Sequence, residues 1–321
     1  MTSWWFRLAI TLAVLTYLIF DIDEVRTLEA IATLSMSVIV TLALLTALDR
    51  ALAAWRWILL VRAAEVPLTY KSGVWIFLVT SYLGSFAPSG VGGDIARAWE
   101  VNRRTSRSGE AVASVAVDRW LGMASVALVG VFGLAMWTDD IDRRLAVFLY
   151  VLTAVMLAGA VAGVWADRIV AALLPGSWRT RAPWTFVVRL ATAMQHYRRE
   201  WPTLLLVSLL SLVMQVLRVV LMWVTGRGLG VTLEFEYYLV FVPLTIIVIL
   251  LPISLSGLGP GQGATVWMLE PMGVPEHIAF AMGTIFILLG IVSNLPGGLL
   301  YLVRRRAPSP PSPPSPKGAL P

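Results

Sequence analysis

Cysteine does not occur among the 321 residues, and histidine occurs only at His196 and His277. The first absence excludes disulfides, thiolate metal sites and cysteine nucleophiles. The two histidines fall in different loops, which argues against a histidine-based metal centre or catalytic triad. No cofactor is implied. Charge is scarce too: 14% of the residues are charged, against about 25% in a soluble domain. Apolar residues make up 58% of the chain, and mean hydropathy is +0.79. Runs long enough to cross a bilayer, roughly 17–25 residues, recur. No extramembrane stretch is long enough for a separate globular domain. The fold class is therefore an all-α polytopic membrane protein. The net charge of +6 reads as the Lys/Arg excess of cytoplasmic loops, not as a nucleic-acid footprint.

Full spans are expected at residues 4–20, 30–48, 111–137, 145–165, 202–225 and 277–303. No small-residue cleavage site follows the first apolar run, so it reads as a retained span, although an uncleaved signal anchor gives the same pattern. Two further apolar segments, 72–87 and 237–256, each run into a Gly/Pro break. Such breaks free backbone groups that hydrocarbon cannot satisfy. They are tolerated at membrane depth only when buried in protein or lining a wet cavity.

Loop charge orients these segments. Net charge is +2 in 49–71, +2 in 95–110 and +4 in 166–201. It is −3 in 21–29, −1 in 138–144, −1 in 226–236 and −2 in 264–276. Treating 72–102 as a re-entrant hairpin from the cytoplasm, and 237–275 as one from outside, makes every basic loop cytoplasmic. Both termini are then cytoplasmic, in the cell (inner) membrane. The first arm, Val74–Ala87, is about 21 Å long at ~1.5 Å per residue, short of a ~30 Å core. The second arm is long enough to span. Residues 49–64 and 177–201 mix Trp and Arg, which suits interfacial helices. The Pro/Ser-rich tail, 307–321, reads as a disordered cytoplasmic segment after a single membrane domain, 1–306.

An internal echo supports the paired hairpins. Ser89-Gly90-Val91-Gly92 returns as Ser256-Gly257-Leu258-Gly259, and Tyr70 returns as Tyr237 at the same spacing. Arg50 and Trp55 match Arg218 and Trp223; Glu110 and Ala113 match Glu276 and Ala279. Halves of about 30–137 and 202–303 read as an inverted repeat with six full spans and two oppositely oriented hairpins. Such repeats place a transport site at their interface.

The candidate site residues follow from these breaks. Ser89, Gly90, Gly92 and Gly93 can present backbone N–H groups to an anion at a helix start. Asp94 and Arg97 share a helical face, where the bland alternative is a capped helix with a solvated Arg. Asp118 and Arg119 lie about two turns inside a span, so they either face the bundle or snorkel to the surface. Arg119 is the leading phosphate partner, because guanidinium binds phosphate oxygens bidentately. Arg218, one turn from Gln215, is its candidate mirror partner. Ser256, Gly257, Gly259 and Gln262 belong to the second break and are the candidate substrate contacts there. Asn294, before Pro296-Gly297-Gly298, is placed to satisfy freed carbonyls.

The segment Ala87–Arg97, A-P-S-G-V-G-G-D-I-A-R, resembles the P-x-x-x-G-G-D-x-x-R element of the flippase-like family, also called the lysylphosphatidylglycerol synthase transmembrane region. S-V-A-V-D-R-W-L-G at 114–122, P-I-S-L-S-G-L-G-P-G-Q at 252–262 and Pro296-Gly297-Gly298-Leu299 are similar to its later elements. The resemblance covers about residues 10–305. Two departures stand out. Gln262 occupies the position where the family's second element usually carries Glu, which puts proton or cation coupling there in doubt. The soluble aminoacyl-transferase domain of the bifunctional members has no counterpart among these residues.

The resemblance implies translocation of a polar phospholipid or polyprenyl-phosphate-linked headgroup between leaflets, without enzymatic activity. The partner would be that lipid or lipid-linked headgroup, with a homo-oligomer or a partner synthase as further options. The alternative is a membrane enzyme or accessory subunit for glycosyl or headgroup transfer; divalent-metal dependence would discriminate it. The cysteine-free chain offers a direct topology test. Single cysteines at Arg104 and Glu270 are expected to react with impermeant maleimide from opposite sides. Labelling from one side contradicts the paired-hairpin topology.

Overall fold

The computed structural model describes residues 24–85, 91–105, 107–136, 143–173, 188, 191–194, 197–251, 254 and 256–305. The expected span at 4–20, Ser89 and Gly90, most of 177–201 and the Pro/Ser-rich tail lie outside them. The described elements are helical: α1 Glu24–Ala32, α2 Met36–Ala63, α3 Tyr70–Ser85, α4 Val91–Thr105, α5 Ser108–Met136, α6 Arg143–Val164 and α7 Ala166–Leu173. They continue with α8 Trp201–Gly228, α9 Phe235–Leu250, α10 Pro260–Leu269, a 3₁₀ turn Glu270–Met272, α11 Glu276–Val292 and α12 Leu295–Arg305.

Four stretches are long and apolar enough to cross a membrane: α2, α5, α8 and the α11–α12 run Glu276–Val303. Local chemistry sets the helix ends. The Ser35 hydroxyl accepts from the Val38 N–H and caps α2. Pro202 and Pro260 sit in first turns, where a missing N–H costs nothing. Asp94 opens α4 and Arg103 and Arg104 close it, in accord with the helix dipole.

Two boundaries differ from the sequence expectation. The helix expected to end at 48 runs on to Ala63. Residues 49–63 continue that helix into the protein: Trp57, Ile58, Leu60 and Val61 are buried in a core cluster with Ile76, Val101, Ala113 and Met214. Asp49, Arg50 and Arg56 belong to a helix interior rather than a loop. The reason is pairing: Asp49 and Arg56 find opposite partners on neighbouring helices, and Arg50 pairs with the adjacent Asp49. The last expected span, 277–303, is broken after Val292, and Asn294 stands at the break. The broken arms α3 and α9 are 16 residues each, so the second arm is as short as the first.

Helix packing repeats. Group α2, α3, α4, α5 with α8, α9, α10 and the α11–α12 run. Then α2·α3 matches α8·α9, α3·α4 matches α9·α10, and α4·α5 matches α10·α11. The crossed contacts match as well: α5·α9 with α12·α3, α5·α8 with α11·α2, and α2·α5 with α8·α11. The α2·α8 contact maps onto itself. Lengths follow the same order, with α2 and α8 both 28 residues.

The α3–α4 pair closes at a backbone contact. A Cβ on Gly84 would lie 2.9 Å from the Gly93 Cα, and one on Gly93 would lie 2.9 Å from the Thr80 carbonyl oxygen. Gly93 is thus required by close helix approach. Gly84→Val is expected to destabilise by about 1–3 kcal/mol, the usual range for overpacking. Gly263→Ala, where an added Cβ meets nothing within 4 Å, is expected to stay within about 0.5 kcal/mol, the usual range away from such features. Thermal unfolding in detergent measures both.

Candidate functional site

The charged residues that interrupt the apolar helices converge. Asp49 is the fourteenth residue of α2, about 20 Å from its start at ~1.5 Å per residue. It lies near the middle of a candidate span and is 5% exposed. A charge at such depth needs a partner or a wet cavity. Asp49 has two partners. Arg218 Nε on α8 lies 3.0 Å from one carboxylate oxygen, and the adjacent Arg50 lies 3.0 Å from the other.

A second group forms where α2, α4 and α5 meet. Arg56 pairs with Asp118 at 2.8 Å and donates to the Ser211 hydroxyl at 3.0 Å. Arg119 Nε donates to Asp94 at 2.9 Å, and its Nη2 contacts the same oxygen. Arg97 stands between the two acids, 3.6 Å from Asp118 and 3.9 Å from Asp94. It is 6% exposed. The Phe77 and Trp57 rings flank its guanidinium, with centroids 4.6 and 5.2 Å away. Such contacts favour a cation. Its Nε is buried with no hydrogen-bond partner among the described residues.

A cavity of about 300 Å³ collects both groups. Arg50, Arg56, Arg97, Arg119 and Arg218 all line it, with Asp94, Asp118 and Gln215. A neighbouring cavity, also about 300 Å³, shares Arg50, Ser81, Asp94 and Arg97 and extends to Gly93, Ser256 and Asn294. Here the two broken segments touch. The Ser256 hydroxyl donates to the Ser85 carbonyl at 2.6 Å. The Asn294 amide donates to the Ser85 hydroxyl at 2.8 Å, while its oxygen accepts from Arg50 at 3.2 Å. Asn294 thus ties the last break to the charged cluster instead of satisfying freed carbonyls. Ser256 has a positive φ of 51°, and Gly257 follows at 79° against Ile249.

The structure therefore brings together Asp94, Arg97, Asp118, Arg119 and Arg218, and sets Gly93 and Ser256 beside them. Gly92, Gly257, Gly259 and Gln262 do not line either cavity. Gln262 is buried and accepts from the Gly259 N–H at 2.7 Å, capping its own helix. The expected Asp94–Arg97 pair exists, but the tighter partner of Asp94 is Arg119, from another helix. Sequence reasoning missed Asp49, Arg50 and Arg56 as site residues by placing them in a loop. Their spacing held the signal: Asp49 and Arg56, seven apart, share a helix face. Among the described residues no three His, Asp or Glu side chains gather as a metal site would need.

Comparison with family models finds a match to "Lysylphosphatidylglycerol synthase TM region" over residues 4–298. No curated protein and no solved structure matches the chain.

Removing one member of a buried ion pair leaves the other uncompensated, at about 3–5 kcal/mol. Asp49→Ala is expected to cost that much, and Asp49→Ala with Arg218→Ala less than the sum of the single changes. Unfolding midpoints of the single and double variants measure the coupling; simple additivity contradicts it.

Proposed function

The chain belongs to the lysylphosphatidylglycerol synthase TM region family, and on that premise we propose that it is a lipid flippase. Its substrate is a polar phospholipid or a polyprenyl-phosphate-linked headgroup, moved between leaflets of the cell membrane. One observation carries the reading: five arginines, drawn from both groups of helices, line one cavity, four of them on helices long enough to cross a bilayer. Guanidinium is suited to phosphate, and an intramembrane charged cavity marks a substrate path.

The matched helix contacts support an inverted repeat, in which α3–α4 enters from the cytoplasm and α9–α10 from outside. Six spans and two such hairpins put both termini in the cytoplasm. The equal, short arms α3 and α9 suit re-entrant segments, each about 24 Å long at ~1.5 Å per residue. The touching of Ser85 and Ser256 places the two breaks at one point. A headgroup there meets a ready-made counter-ion exchange: its phosphate takes the place of Asp94 on Arg119 and of Asp118 on Arg97. The hydrocarbon chains remain in lipid.

Reconstitution tests the proposal. Vesicles holding the protein and fluorescent analogues from a broad headgroup panel are expected to show accelerated transbilayer movement. Arg119→Ala and Asp94→Ala are expected to slow it at least about tenfold, equivalent to ~1.4 kcal/mol. Movement of no headgroup, or wild-type rates from both variants, contradicts the reading.

A further inference from the structure

We infer that the anion this cavity takes carries two negative charges, as a phosphomonoester or a diphosphate does, rather than the single charge of a phosphodiester. The inference rests on reading the cavity as a headgroup site and deepens that reading.

Charge counting carries it. Asp49 faces Arg50 and Arg218. Asp94 and Asp118 face Arg56, Arg97 and Arg119. Each group keeps one guanidinium in excess of its carboxylates, and both groups open on the same cavity. The excess is therefore two charges, divided between two walls. A buried charge is costly unless paired. A singly charged headgroup compensates one wall and leaves the other. A doubly charged one compensates both.

Unpaired donors agree with the count. Gln215 is 1% exposed, lines the cavity, and its Nε2 has no partner among the described residues. The Nε atoms of Arg97 and Arg50 are likewise buried without partners. These donors are supplementary to the ion pairs already formed. A phosphomonoester supplies three strong acceptor oxygens, whereas a phosphodiester has only two non-bridging ones. The Asp49, Asp94 and Asp118 carboxylates do not satisfy the three donors, because each is held by the guanidinium groups named above.

Titration of the full chain in detergent tests this at pH 8, well above the second phosphomonoester pKa of about 6. The probes are dihexanoyl phosphatidic acid, dihexanoyl phosphatidylglycerol and inorganic phosphate, and the readout is the unfolding midpoint. Half-saturation by phosphatidic acid is expected at a concentration at least about tenfold below that of phosphatidylglycerol, a ~1.4 kcal/mol preference. Arg218→Gln and Arg50→Gln are each expected to narrow that ratio. The wild-type comparison stands even if a variant fails to fold. Equal affinity, or preference for phosphatidylglycerol, overturns the inference. Inorganic phosphate binding as tightly as phosphatidic acid upholds the double charge and assigns the site to a soluble anion. Phosphatidic acid that binds but is not moved across vesicles upholds the double charge and removes the flippase reading. Phosphatidylglycerol moved faster than phosphatidic acid does the reverse.

Discussion

The bridge from Asp49 to Arg218 is the constraint on which the rest of the structure depends. It joins α2 to α8, a helix pair that maps onto itself when the two groups of helices are exchanged. Near the middle of an apolar helix, a carboxylate has no cheap alternative to a guanidinium partner. The bridge therefore fixes the register of α2 against α8. That register carries Arg56 to Asp118 and Ser211, which in turn aligns α5 with both. Arg97 and Arg119 then close the cluster from α4 and α5.

Much of this was legible in the sequence. The long apolar runs α5 and α8 follow from hydropathy alone, and the two broken segments follow from their Gly and Pro residues. Asp94, Arg97, Asp118, Arg119 and Arg218 are conspicuous because charge is rare in such runs. What stayed hidden depends on partners distant in the chain. Residues 49–63 carry enough Arg and Trp to look interfacial, and only the acid on one helix and the Arg on another reveal them as core. Asn294 looked like a backbone cap because its partners, Arg50 and Ser85, lie more than 200 residues away. Gln262 looked like a substrate contact because of its position in a motif, yet its amide closes the first turn of α10.

A set of ion pairs built only for stability tends toward charge balance, since excess buried charge is destabilising. Here, among the described residues, guanidinium groups outnumber carboxylates around one cavity, and several donors remain unmatched. Under the flippase proposal, the carboxylates would hold the arginines in place between substrates, and an anion would arrive by exchange and leave by the same route. Arg97 suits that role best. Its two rings hold the guanidinium while its acids stand back at 3.6 and 3.9 Å. This arrangement is also where the two broken segments meet.

The most direct measurement is an electron cryomicroscopy structure of the protein with dihexanoyl phosphatidic acid. The account predicts phosphate density in the cavity within hydrogen-bond reach of Arg97, with Gln215 and at least one of Arg50 and Arg218 also in contact. Phosphate density confined to the protein surface, with Arg97 still bound only by Asp94 and Asp118, would contradict it.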